Sequence, residues 1–383
     1  MVKFGKCCFI MALCLCLCGC SLLTRGSHIY VGEHQNPSTA VGSQNVNARN
    51  YQQLYKALEI MVKKGEDQKI IFVKQYDKQQ LEADLQQAVD TICAEYPIAA
   101  YAVKEIQCTV GTVSGEDAVS VQVVYLRDQA QIRQIISVAD NQAAREEIVR
   151  SLNNCESGLL LYIEAYTSVD FAQLVKEHAL AYPENVMEQP QVSVNIYPET
   201  GESRVVELKF TYETNRDTLK NMQNQVSPVF RSAVLYVSGD AAEAEKFSQL
   251  YSFLMERYDY TIASSVTPAY SLLRHGVGDC RAFAMVYAAM CRQAGLECLV
   301  VSGNRAGEDW YWNIVNMDGV YYHMDLLSVG DGGIFRGHND TQMQADGYLW
   351  NFEAYPQCQP PAPEEPDPAP DPEPIPGEEE LEK

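Results

Sequence analysis

Two short stretches hold residues whose types and spacing could do chemistry. In Gly276-Val277-Gly278-Asp279-Cys280 a glycine-bearing approach leads into a helix whose buried stripe would be Phe283, Val286, Tyr287, Met290 and Ala294. Asp279 fits the N-cap, which places Cys280 in the first turn. There the unpaired N–H groups and the positive end of the helix dipole favour a thiolate over a thiol. A purely structural cysteine at a helix start would read the same way. The second stretch, EDWYWNIVNMDGVYYHMD at residues 308–325, reads as two sheet strands joined by a turn and ending in Asp325. A thiol, a base and a carboxylate that orients the base make up a cysteine acyl-transfer site. His323 lies two residues before Asp325, hence on the same strand face, and is the best placed of the candidate bases. His275, in the loop before Cys280, and His338, in FRGHND, are further candidates.

The elements that must position these residues fill the middle of the chain. AVSVQVVY places Val119, Val121, Val123 and Tyr125 on one strand face, and VVELKFTY, 87 residues later, places Val206, Leu208, Phe210 and Tyr212 likewise. Upstream, IIFVKQY ending at Tyr76 answers LYIEAY ending at Tyr166, and each is followed by a helix ending near Tyr-Pro, at Tyr96-Pro97 and Tyr182-Pro183. The first of these helices carries the stripe Leu81, Leu85, Ala88, Val89 and Ile92. The spacing predicts two β-α-β-β-α repeats within 51–235, at about 65–150 and 151–235, and an α+β fold throughout. His178 falls on the second repeat's helix as a packed residue; no cluster at metal spacing appears there, and no metal or cofactor is expected. A third unit, 236–358, opens with a helix whose core-facing stripe is Phe247, Leu250, Tyr251, Leu254, Met255 and Tyr258.

The ends bound the class of protein. Lys3 and Lys6 precede an apolar run from Cys7 to Cys18, too short for a membrane span, so residues 1–19 read as a signal peptide. Leu17-Cys18-Gly19-Cys20 resembles a bacterial lipobox, which implies cleavage before Cys20, lipidation of its thiol and an extracytoplasmic protein anchored to the cell membrane. Residues 20–50 read as a flexible tether, and the Pro- and carboxylate-rich 359–383 as an extended, self-repelling tail. Six of the 13 cysteines lie at or before Cys20; the seven others cannot all pair, so disulfides among Cys291, Cys298 and Cys358, or between Cys93 and Cys108, would still leave a thiol over. A net charge of −22 argues against nucleic acid as a partner.

From about residue 245 to 358 the chain resembles the transglutaminase-like superfamily, of papain-like thiol architecture. The matching segments, in order, are the helix ending in Tyr258-Asp259, then GVGDCRAFA, AGLECLVVSG, WNIVNMDGVYYHMD and DGYLWNFEAYPQC. The resemblance implies a cysteine-bearing helix packed on an antiparallel sheet, with Cys280 as nucleophile and Asp325 as the carboxylate that orients a histidine. That histidine would stand two residues before Trp312-Asn313, where this chain has Trp310. An imidazole takes the thiol proton and returns one to the leaving amine; an indole offers only an N–H donor and does neither. Trp310 and Trp312, two apart on one face, would line the old cleft as an apolar stacking wall. The leading expectation is a lipid-anchored surface protein whose degenerate cleft binds peptide, protein or cell-wall material. The alternative is an active cysteine acyltransferase or peptidase that attacks a Gln side-chain amide or a peptide bond with a non-standard base such as His323.

Overall fold

The computed structural model describes residues 46–328 and 337–359. The expected signal peptide, the expected lipidation site Cys20, most of the expected tether and nearly all of the acidic tail lie outside them. Among the described residues no helix is long and apolar enough to cross a membrane.

The fold is α+β. The elements of its first part are β1 (Val46–Asn47), α1 (Tyr51–Lys64), β2 (Gln68–Phe72), α2 (Leu81–Glu95), α3 (Pro97–Ala102), β3 (Val103–Val113) and β4 (Glu116–Tyr125). Next come α4 (Gln129–Arg133), β5 (Ile136–Asp140), α5 (Asn141–Asn153), β6 (Gly158–Ala165), α6 (Phe171–Ala181), β7 (Gln191–Tyr197), β8 (Arg204–Thr211) and α7 (Arg216–Arg231). The last part holds α8 (Glu243–Met255), β9 (Asp259–Tyr260), α9 (Pro268–Tyr270), β10 (Val277–Gly278), α10 (Cys280–Gln293) and β11 (Cys298–Arg305). It closes with β12 (Glu308–Met317), β13 (Val320–Met324), α11 (Asp340–Ala345) and β14 (Tyr348–Trp350).

Two compact units divide these elements. One takes the described residues up to Ala144 together with Leu159–Val169 and Val194–Leu208; the other takes Arg145–Gly158, Asp170–Ser193 and the chain from Lys209 onward. In the first unit, α1 starts where the Asn50 side chain accepts from the Gln53 N–H and stops at Gly65, whose φ of 63° releases the chain from the helix. Its Leu58 and Met61 meet Ile71, Leu85, Ile92, Ile106 and Val121 in one core. The faces that alternation assigned in β4 and the stripe it assigned in α2 are the buried ones. The first sheet runs β1-β2-β4-β3, with β1 parallel to β2. A second sheet runs β5-β6-β8-β7, with β5 parallel to β6, so its strand order matches the first position by position. Each order therefore includes a leading strand, β1 or β5, ahead of the strand at which the sequence unit begins.

The second unit holds α10 against a four-stranded sheet of order β13-β12-β11-β14. Phe283, Val286, Tyr287 and Met290 of α10 are fully buried with Phe247, Leu250 and Leu254 of α8, and the Tyr287 hydroxyl donates to the Phe247 carbonyl at 2.8 Å. Asn313, fully buried on β12, donates to the Ala284 carbonyl at 2.9 Å and to the Leu299 carbonyl at 3.2 Å, tying helix to sheet. The turn between β12 and β13 is a two-residue hairpin at Asp318 and Gly319, with φ of 51° and 85°, the geometry that an Asp-Gly pair favours.

Candidate active site

The Asp279 side chain accepts from the Ala282 N–H at 2.8 Å and so caps α10, which begins at Cys280. Gly278 is required beside it: a Cβ there would come within 2.8 Å of the Ala282 Cβ and 3.1 Å of Leu272. Cys280 thus stands where a helix start favours a thiolate, yet its thiol is pushed above the ordinary cysteine range, first by burial and further by the charges of Asp279 and Asp325. The backbone N–H groups of Tyr311 and Arg281 act the other way and do not overcome it. The Arg281 guanidinium is turned away, donating to the Ser265 carbonyl at 2.7 Å. Helix-end stabilisation alone does not make this cysteine reactive.

Asp325, just past β13, is buried, and its Oδ2 is the focus of three groups. The Trp310 indole N–H donates to it at 2.8 Å, the Tyr348 hydroxyl donates at 2.6 Å, and the Arg305 guanidinium lies at 3.5 Å. Oδ1 accepts from the Leu327 N–H at 3.0 Å. Arg305 also lies over the Trp310 ring at 5.3 Å and over the Tyr348 ring at 4.9 Å. Tyr260, on β9 next to β10, faces Trp310 with ring centroids 6.3 Å apart, and burial, then the charges of Cys280, Asp279, Glu308 and Asp325, raise its pKa. Cys280, Trp310, Asp325 and Tyr260 therefore share one neighbourhood. Tyr348, Arg305 and Tyr260 were not legible as site residues: an arginine at a strand end and tyrosines in sheet segments carry no local signal.

His323 does not supply the missing base. It is fully buried, with Nδ1 2.9 Å from the Trp312 indole nitrogen and Nε2 2.9 Å from Asp340 Oδ1. An indole can only donate, so Nδ1 is the acceptor, Nε2 carries the proton, and the ring is neutral with both nitrogens committed. Burial lowers its pKa accordingly. His275 is exposed and packs edge-on to Tyr270 at 5.4 Å, while His338 meets His323 through backbone pairing.

Trp312 is not a cleft wall beside Trp310. It is fully buried among Val301, Ile314, Met343 and Tyr348, and Gly303 leaves room for its ring, which a Cβ would approach within 2.6 Å. None of the pairs that the sequence left open is bonded among the described residues, whose seven cysteines are free thiols.

One trio invites comparison with a metal site: ligand atoms of His323, Asp340 and Cys358 lie within 4.8 Å of one another. The trio does not fit a metal. Ligation by Nε2 would move the imidazole proton to Nδ1 and aim it at the Trp312 N–H, breaking that buried hydrogen bond. The trio instead latches α11 and the closing segment to the sheet, since the Cys358 N–H donates to the Asp340 carboxylate and the Asp340 N–H to the Cys358 carbonyl.

A family model described as the transglutaminase-like superfamily matches residues 232–340. The chain carries a transglutaminase-like domain. Among solved structures it is similar to a candidate cysteine protease from Cytophaga hutchinsonii, at 13% identity and a TM-score of 0.24, over 36% of this chain and 62% of that one. It is also similar to a TGase, at 11% identity and a TM-score of 0.26, over 50% of this chain and 57% of that one. A candidate protease from Parabacteroides distasonis matches at 11% identity and a TM-score of 0.23, over 60% of this chain and 38% of that one. This chain spans under two thirds of each of these proteins, and scores this low carry no argument about the site. No curated protein matches.

Proposed function

We propose that the protein is a lipid-anchored, extracytoplasmic binding or scaffolding protein whose transglutaminase-like domain has lost acyl-transfer chemistry and uses the old cleft to hold peptide or cell-wall material. The observation that carries this reading is the Trp310–Asp325 hydrogen bond. The carboxylate that would orient a histidine is occupied by a group that cannot accept a proton, in the neighbourhood of a thiol whose pKa burial raises. An active acyltransferase or peptidase would need a base for Cys280, and His323 is committed elsewhere. The anchor rests on Leu17-Cys18-Gly19-Cys20 and the apolar run before it.

The test is binding without consumption. Gln-containing peptides and soluble wall fragments incubated with the protein should be recovered intact, and those that bind should bind Trp310→Ala more weakly. Loss of the peptide amide in a Cys280-dependent manner would refute the reading. Cys20→Ala should move the protein out of the membrane fraction; unchanged processing and retention would refute the anchor.

A further inference from the structure

Outside the cleft, β11 has one edge that is only partly covered. On one side it pairs with β12 along its whole length, from Cys298↔Val315 to Arg305↔Glu308. On the other side β14 pairs with Gly303–Arg305 alone and ends at Trp350. In an antiparallel strand, alternate residues turn both backbone groups to the same neighbour. The even-numbered residues of β11 turn theirs toward the β14 side: just beyond the strand the Ala306 N–H donates to the Gly347 carbonyl, and the Ser302 N–H, past the end of β14, donates to the Tyr355 hydroxyl at 3.2 Å. That hydroxyl stands where the carbonyl of a neighbouring strand would be. By the same alternation, the N–H and C=O groups of Val300 and Cys298 point to this edge, and among the described residues no strand runs beside them.

The same edge forms one wall of a groove of about 830 Å³. Leu180 of α6, Ala288 of α10, Leu296 and Val300 give it an apolar lining. Lys176 stands at its rim, its ammonium 3.4 Å from the Ser302 hydroxyl, but Asp170, Glu177, Glu297 and Arg292 line the groove as well, so its charge is mixed and does not favour an acidic ligand. Evenly spaced backbone donors and acceptors bordering a trough with an apolar floor are complementary to one kind of ligand, another backbone in extended form.

We propose that the open edge of β11 at residues 298–302 is a docking site for an extended peptide strand, which would continue the line of β14. Backbone pairing with Val300 and Cys298 gives the affinity, and alternate apolar side chains of an uncharged peptide enter the trough. This site is separate from the Cys280 cleft and does not depend on how that cleft is read.

The experiment follows amide exchange at Val300 by NMR on the full-length protein, with a pool of uncharged, Val-, Ile- and Thr-rich hexapeptides as probe. The control is the same pool N-methylated at alternate residues, which keeps the side chains and removes the backbone donors. The proposal predicts that the unmethylated pool slows Val300 exchange by about tenfold at saturation and that the methylated pool does not. Cys280→Ala should respond identically. Equal effects from the two pools, no effect from either, or a Val300 amide already protected before peptide is added would each overturn it; the last would mean that the chain covers its own edge.

Discussion

The Trp310 indole nitrogen donates to Asp325 Oδ2 at 2.8 Å, the kind of bond by which an imidazole N–H at that position would be oriented. In the proposed reading the hydrogen-bonding half of an acid–base pair is kept and the proton-accepting half is gone. With the Tyr348 hydroxyl on the same oxygen and Arg305 stacked over both rings, Asp325 serves as a buried anchor for β12, β13 and β14.

Trp310→Phe keeps the ring and removes the N–H donor, leaving Asp325 with one strong bond fewer. The variant should lose about 1–2 kcal/mol of stability by chemical denaturation. Asp325→Asn should cost a similar amount, and the double variant should cost less than the sum of the two, because the residues act through a shared bond.

Cys280 should react slowly with iodoacetamide. Since burial raises its pKa, the thiolate fraction at any pH near neutrality is smaller than that of an ordinary cysteine, and the alkylation rate should climb only at pH values above the ordinary thiol range. Following modification of Cys280 by peptide mass spectrometry against pH checks this; a plateau reached at or below neutral pH would contradict it.

His323→Leu should cost about 2–4 kcal/mol, because the buried Trp312 N–H and the Asp340 carboxylate both lose their partner. The pH profile of Cys280 alkylation should stay where it is, since His323 is not the base. A displaced profile would reopen the catalytic reading.

Much of the fold was readable because it rests on local periodicity. The stripe of α2, the alternation of β4, the N-cap at Asp279 and the Asp-Gly hairpin are each set by neighbouring residues, and the structure has them in place. What escaped the sequence depends on partners far along the chain. The placement of His323 two residues before Asp325 suggested a shared role, but Trp312 and Asp340 fix the ring elsewhere. The helix start at Cys280 suggested a thiolate, but desolvation by distant segments outweighs the helix end. Tyr348 reaches Asp325 across 23 residues, and nothing in a linear reading joins them.

Acid should destabilise the protein through His178, which is buried in α6 3.0 Å from the Asn153 side-chain oxygen and stacked on Tyr182. Burial, then the charges of Arg145 and Arg292, lower its pKa from 6.5 to about 4. Between those values the unfolded chain binds the proton and the native protein does not, so this contribution is complete above pH 6.5 and is lost as pH falls toward about 4. Thermal melts across that range should show His178→Gln losing less stability than the native protein.

The central claim is that Trp310 in the base position has ended the chemistry of Cys280. Ammonia release from a Gln-containing peptide, with and without an added primary amine, tests it directly in the native, Cys280→Ala and Trp310→His proteins. The native protein should match Cys280→Ala at background, while Trp310→His, with an imidazole beside Asp325, should give slow release that disappears when Cys280 is also replaced. Turnover by the native protein that Cys280→Ala abolishes would contradict the account.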